Sequence, residues 1–266
     1  MVRPRSRQKP LSADPAGAVS WPLGVGRHLL DVVDSTNAHA ASLAPDLTGP
    51  AWVLAAEQTA GRGRRGRPWQ SPRGNFYGSL VMKPEGAADQ ASLRSFIAAL
   101  ALYDACADLT GVPQAFSLKW PNDVLLNGGK LAGILLESTG AAGRVSHLVI
   151  GIGVNLIAAP PVETVEPGAV TPVILLAETG ARVTPESFLT HLAASFAQWE
   201  DTFQQQGFAP IRASWLERAA RLGEPVRART GTRERRGIFE TIDATGALVL
   251  NIDGQREAIP AAEVFF

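Results

Sequence analysis

The chain has one cysteine, Cys106, so it can close no disulfide within itself and can build no multi-cysteine zinc or iron–sulfur site. A lone thiol fits a reducing compartment. The four histidines, His28, His39, His147 and His191, share no motif, and no His/Asp/Glu cluster has the spacing of a protein metal site, so no metal ligand set is expected. An excess of charge of either sign is also missing. The 25 Lys+Arg balance 25 Asp+Glu over 266 residues, which argues against a surface built to hold polyanions and confines any cationic function to a local site. No apolar run approaches the roughly 20 residues of a membrane span. The basic first ten residues lead into Pro, Gly, Ala and Asp rather than a continuous apolar segment. Neither a membrane nor a secretory signal is expected, and the cytoplasm is the expected location.

What is present, 45% hydrophobic and 19% charged residues, suits one core of catalytic size with a small appended module. Residues 1–26, with Pro4, Pro10, Pro15 and Pro22, lack periodicity and read as a flexible lead-in. Residues 28–33 read as a strand, and Asp34-Ser35-Thr36-Asn37 offers capping side chains to an Ala-rich helix ending near Pro45. Strands are expected at 51–57 and 76–82, flanking a Gly/Arg loop. Apolar residues at helical spacing predict one helix over 89–110, with Cys106 on its buried face, stopped by Gly111 and Pro113. Apolar segments at 116–120, 124–126 and 130–137 precede a Gly-interrupted strand at 145–156, and a Pro-rich loop at 158–172 precedes helices near 184–206 and 210–221. Beyond Gly223, short β-type runs at 226–229, 237–242, 248–251 and 255–259, with turns such as Asp253-Gly254, predict a small β-barrel.

Three segments carry chemistry. Gly61-Arg62-Gly63-Arg64-Arg65-Gly66-Arg67-Pro68-Trp69 combines glycines, which let backbone approach a ligand, with forked cationic donors that suit phosphates. It is no Walker loop, since no Gly-Lys-Ser/Thr opens a helix. Taken alone it fits equally an Arg-rich nucleic-acid segment or a solvated charge run. Lys119-Trp120-Pro121-Asn122-Asp123 and Gly129-Lys130-Leu131-Ala132-Gly133 place charges in apolar β-runs, where burial is costly without partners. A structural ion pair between Asp123 and one lysine is the plain alternative to a catalytic role. Gly151-Ile152-Gly153-Val154-Asn155 leaves room at a strand end for a planar ligand, or is simply structural.

These segments, in this order and with Ser35-Thr36-Asn37 and Glu57-Gln58-Thr59-Ala60 before them, resemble the biotin protein ligases over about residues 28–266. The resemblance implies an α+β fold: a mixed β-sheet packed against helices, the class II synthetase-like core of biotin and lipoate ligases, with a small C-terminal SH3-like barrel. The implied division is a catalytic domain at 27–221 and an SH3-like domain at 222–266. The implied activity is a biotin–protein ligase that makes biotinyl-5′-AMP from biotin and ATP with Mg²⁺, releases pyrophosphate, and passes biotin to a lysine of a biotin carboxyl carrier domain.

By the same resemblance, Lys130, Asp123 and Arg64 are the catalytic set. Ser35, Thr36, Gln58, Gly61, Arg62, Lys130 and Gly133 would surround biotin. Arg64, Arg67, Trp69, Lys119, Asn122, Lys130 and Asn155 would hold ATP and the adenylate. Lys130 would stabilise the adenylation transition state, Arg64 would sit on a loop closing over the adenylate, and Asp123 would orient the acceptor lysine or take its proton. Ser35 and Thr36 also read as a plain helix cap. One departure is the 158–176 segment, where Val170-Thr171-Pro172-Val173-Ile174-Leu175 replaces the family's Ala-Thr-Ser-Leu type of turn. A lipoate–protein ligase is the nearest alternative. A DNA-binding repressor is a more distant one, since only about 27 Pro/Gly-broken residues precede the core and no DNA is expected as a partner. The sequence leaves the oligomeric state open, a homodimer included.

Overall fold

The computed structural model describes residues 19–84, 88–141, 144–166, 168–231 and 233–266. Of the lead-in expected at 1–26, residues 1–18 lie outside the described residues. The rest corrects the expectation, because Trp21 packs on the core and its indole donates to the Val25 carbonyl at 2.8 Å.

The main sheet contains β1 (Gly26–Val33), β2 (Ala51–Gln58), β3 (Phe76–Met82), β4 (Phe116–Lys119), β5 (Asp123–Leu126), β6 (Gly129–Ala141) and β7 (Arg144–Val154). Its seven strands run in the order β1-β2-β3-β7-β6-β5-β4, with β1 and β2 parallel and the other pairs antiparallel. Every residue of β3 is buried, as a strand covered on both faces requires. Trp52, Leu54, Phe76, Leu80, Ile150 and Ile152 face α3 (Arg94–Thr110) and α5 (Pro185–Gln206). On the opposite face, Val53, Val81 and Val149 pack under Ala40, within α1 (Thr36–Leu43), and Ala44, just beyond its end.

The helix expected over 89–110 is divided at Leu93 into α2 (Ala88–Ser92) and α3. It ends where expected, on Gly111 at φ 72°, the left-handed cap that glycine adopts without a Cβ penalty. Arg94 of α3 and Glu200 of α5 form a buried pair, with Nη2 to Oε1 at 2.6 Å. The five-residue α4 (Leu175–Thr179) had no periodic signal in the sequence, and α6 (Phe208–Glu217) follows α5.

The C-terminal strands β8 (Pro225–Thr230), β9 (Arg233–Ile242), β10 (Leu248–Ile252), β11 (Gln255–Ile259) and β12 (Glu263–Phe265) form an antiparallel sheet in the order β11-β10-β9-β8-β12. The Asp253-Gly254 turn has φ of 51° and 84° at its central residues, the geometry of a tight hairpin. The small β-module expected here is present as an antiparallel sheet consistent with an SH3-like domain, but it is open and not a closed barrel. Its edge strands β11 and β12 pair with β10 and β8 and not with each other, and β12 spans three residues. Trp215 of α6 packs between Phe96 and Phe239, at 5.5 and 6.5 Å, and the Trp120 indole donates to the Gly246 carbonyl at 3.1 Å. These contacts seat the small sheet against the core beside the β4–β5 turn.

Candidate active site

On the face where α1 packs, glycines replace side chains toward one end of the sheet. Gly133 of β6 pairs with Gly153 of β7, and Gly151 pairs with Ser79 of β3 and Leu135 of β6. Because side chains alternate across a strand, these positions share one face. The floor they leave opens into a cavity of about 710 Å³. Trp69 lies on it: a Cβ added to Gly153 would stand 2.5 Å from Trp69 Cε2, and one on Gly133 would stand 3.3 Å from Trp69 Cζ3. The buried Trp69 Nε1 has no hydrogen-bond partner, although buried indole N–H groups usually find one.

Of the residues singled out in the sequence, Ser35, Thr36, Gln58, Arg62, Arg64, Arg67, Trp69, Lys119, Asn122, Asp123, Lys130, Gly133 and Asn155 all line this cavity. Gly61 does not. It lies inside its own loop, where a Cβ would meet Ser71 Oγ and the Trp69 carbonyl at 2.7 Å. That loop folds back on itself: Trp69 N–H donates to Gly61 O at 2.9 Å and Gly63 N–H to Arg67 O at 2.8 Å, with Arg65 and Gly66 in left-handed conformation at the tip.

One end of the cavity is neutral and polar. Ser35 caps α1 through a long contact from Ala38 N–H at 3.4 Å, so the plain reading of this serine holds beside its place in the cavity. Gln58 Oε1 accepts from the Thr36 backbone N–H at 2.8 Å, and Gln58 Nε2 donates to Ser71 Oγ at 3.0 Å.

The other end is cationic. Asp123 Oδ1 lies 2.7 Å from Lys130 Nζ and its Oδ2 lies 3.6 Å from Lys119 Nζ, so the predicted ion pair involves both lysines. Burial raises the Asp123 pKa, but the charges of Lys130, Lys119 and Arg64 outweigh it and hold the carboxyl below its usual range. Burial pulls Lys119 below the usual lysine range, against the attraction of Asp123. It also lowers Arg64, whose guanidinium reaches Asn122 Oδ1 at 3.3 Å. The Asn122 amide is fixed by its own bond to the Ile134 carbonyl at 2.6 Å. Asn155 is buried at the end of β7, its backbone bonded to Leu131 O and from Leu175 N.

Arg67 sits at the rim. Its guanidinium is held by Glu166 at 2.7 Å and by Glu263 of β12 at 2.6 Å, and Glu263 also binds Arg65 at 2.8 Å and Arg229 at 2.7 Å. Arg229 also pairs with Glu166. Glu166 belongs to the departing 158–176 segment, which is therefore part of the cavity wall. The sequence reading missed both rim carboxylates, and it missed Ser79 and Glu137 behind the polar end. Ser79 left a signal: it is a small polar residue in a strand otherwise made of glycine and large apolar or aromatic side chains.

Residues 29–155 match the biotin/lipoate A/B protein ligase family, and residues 222–266 match the biotin protein ligase C-terminal domain. The chain is 59% identical to a biotin–[acetyl-CoA-carboxylase] ligase of Paracoccus denitrificans, over 90% of this chain and 99% of that one. It is 34% identical to the bifunctional ligase/repressor of Escherichia coli, over 85% of this chain and 69% of that one. Among solved structures, a biotin protein ligase from Aquifex aeolicus in complex with biotin and ATP matches with a TM-score of 0.75 and 26% identity, covering 90% of this chain and 97% of that one.

Proposed function

From the premise that the chain belongs to the biotin/lipoate protein ligase family, we propose that it is an ATP-dependent biotin–protein ligase acting on the carrier domain of acetyl-CoA carboxylase or a related carboxylase. The observation that carries this reading is a single cavity with a neutral polar end, a glycine floor and a cationic end. A fused ureido ring needs paired donors and acceptors, an aliphatic acid chain needs a narrow slot, and a triphosphate needs fixed cations.

In the first step a biotin carboxylate oxygen attacks the α-phosphorus of ATP, the bond to the β-phosphate bridging oxygen breaks, and pyrophosphate leaves. Lys130 and Arg64 lie at the cationic end, where fixed charges lower the energy of a transition state that gathers negative charge on the phosphoryl oxygens. Arg64, Lys119 and Lys130 face the single carboxylate of Asp123, which leaves a positive excess smaller than the charge of a triphosphate. Mg²⁺ brought with the nucleotide would supply the remaining positive charge, and Asp123, Glu166 and Glu263 would be the carboxylates of this cavity nearest to it. The carboxylates lining this cavity, Asp123, Glu166 and Glu263, are themselves paired with lysine or arginine.

In the second step the acceptor lysine, having lost its ammonium proton to solvent, attacks the biotinyl carbonyl as the free amine; the bond from that carbonyl to the AMP phosphate oxygen breaks, AMP leaves, and the surplus N–H proton passes to solvent. Asp123, held ionised between two lysines, is a weak proton acceptor and a good fixed charge, so orienting the incoming ammonium suits it better than deprotonating it. Trp69 offers an indole face and an unpaired N–H on the adenine side.

Biotin-dependent exchange of pyrophosphate into ATP, followed by labelling of a carboxylase carrier domain, tests the proposal. Exchange supported by lipoate and not by biotin would overturn it in favour of a lipoate–protein ligase.

A further inference from the structure

We infer that Ser79 and Asn37, steadied by Glu137, are positioning residues that hold the Thr36 hydroxyl in place beside Gln58 and so favour a cyclic urea at the polar end of the cavity. The inference rests on the biotin reading and deepens it.

Ser79 is fully buried at the centre of β3 and does not line the cavity. A hydroxyl in that place is costly unless its bonding is satisfied. Ser79 Oγ lies 2.6 Å from Asn37 Oδ1 and 2.8 Å from Thr36 Oγ1. Asn37 Nδ2 donates to Glu137 Oε2 at 2.7 Å. A carboxylate only accepts, so the Asn37 amide must turn its nitrogen to Glu137 and its oxygen to Ser79. An amide oxygen also only accepts, so the single Ser79 proton points at Asn37 and the Ser79 oxygen is left to accept from Thr36. Thr36 Oγ1 thus has two protein acceptors for its one proton, Ser79 Oγ and, at 3.0 Å, Gln58 Oε1. Whichever it takes, the Thr36 hydroxyl offers the cavity a lone pair.

Gln58 is oriented from Thr36 itself: its Oε1 accepts from the Thr36 backbone N–H at 2.8 Å, so its amide nitrogen faces Ser71 and keeps a second N–H. An acceptor on Thr36 beside a donor on Gln58 complements the N–H beside C=O of a cyclic urea.

Space for this chain comes from a glycine. Gly151 is the cross-strand partner of Ser79, and a Cβ there would stand 2.2 Å from Asn37 Oδ1.

The test is biotin-dependent pyrophosphate exchange, with KM for biotin and for ATP measured separately on the purified full chain. Ser79→Ala should raise the biotin KM about tenfold, the scale of one buried hydrogen bond, while kcat and the ATP KM stay within about twofold. The double change Asn37→Asp with Glu137→Gln keeps the pattern of donors and acceptors, because the introduced carboxylate accepts from both Ser79 and the introduced amide. Its biotin KM should stay within about threefold of the parent, a rescue that generic loosening of the fold would not give. If Ser79→Ala does not fold, Glu137→Ala, at an exposed residue outside the cavity, removes the acceptor that orients Asn37 and should raise the biotin KM in its place. An unchanged biotin KM in Ser79→Ala, or in Glu137→Ala where Ser79→Ala does not fold, or equal rises in the biotin and ATP KM values, overturns the inference. A parent protein that exchanges pyrophosphate without biotin overturns the underlying reading instead.

Discussion

Lys130→Ala removes the nearer of two cations on a buried carboxylate, and its consequences for folding and for chemistry separate cleanly. At 2.7 Å from Asp123 Oδ1, the Lys130 ammonium is attracted by about 6 kcal/mol at an effective dielectric near 20. Much of that is offset by desolvation, and leaving a buried charge wholly unpaired costs about 3–5 kcal/mol. Asp123 is not left unpaired here, because Lys119 remains at 3.6 Å. The loss of stability should therefore fall below that range, at about 1–2 kcal/mol, and the variant should fold. The chemical loss is larger. One fixed donor at a developing oxyanion is worth about 100- to 1000-fold in kcat. Urea unfolding measures the first quantity and biotin-dependent pyrophosphate exchange the second. Exchange within about threefold of the parent, in a protein destabilised as expected, would refute the assignment of Lys130 to the adenylation transition state and leave it a structural ion pair.

Gly153→Ala places a methyl 2.5 Å from Trp69 Cε2, where carbon contacts relax at about 3.5–4.0 Å, so the indole must move by about 1 Å. The ATP KM should rise about tenfold with the biotin KM little changed, and unaltered ATP affinity would remove Trp69 from the adenine side. Burial depresses the Lys119 pKa, so the unfolded chain holds that proton more tightly and stability from this group rises as pH climbs through the folded pKa, while the charge at the site is lost. Activity should fall on that alkaline limb without unfolding, and Lys119→Arg should move the limb to higher pH; an identical limb in both proteins would refute the assignment. Burial pushes the Cys106 thiol well above the usual range, so iodoacetamide should leave the native protein unlabelled and label it fully in denaturant, as mass spectrometry would show.

The parts of the fold legible in the sequence were those with local causes. Ser35 ahead of an Ala-rich run gave α1, Gly111 and Pro113 gave the end of α3, and Asp253-Gly254 gave the β10–β11 turn. Elements held only by tertiary contacts were not legible. The strand β12 is three residues whose partner, β8, lies more than thirty positions earlier, and α4 is a single short turn of helix following an irregular run. The barrel stayed open for a reason equally invisible in sequence: closure depends on whether two edge strands meet, and alternation within each strand is silent on that.

The site divides the same way, and the division bears on how a neutral chain handles a polyanion. The cationic residues were visible because they sit in runs, while the carboxylates that answer them come from distant positions. At the rim, Arg65, Arg67 and Arg229 meet Glu166 and Glu263 and are largely compensated. Deeper in, Arg64, Lys119 and Lys130 share only Asp123, all beside the glycine floor. The excess positive charge of this cluster is therefore internal, where screening by salt is weakest and a fixed charge does most for a developing anion. Arg67 can reach a phosphate only by leaving Glu166 and Glu263, so the rim exchanges one anion for another with little net gain in affinity. The deep cluster has no such exchange to make. On the proposed function, discrimination between the ground state and the transition state would then come chiefly from Arg64, Lys119 and Lys130, a local excess of charge within a chain of balanced composition.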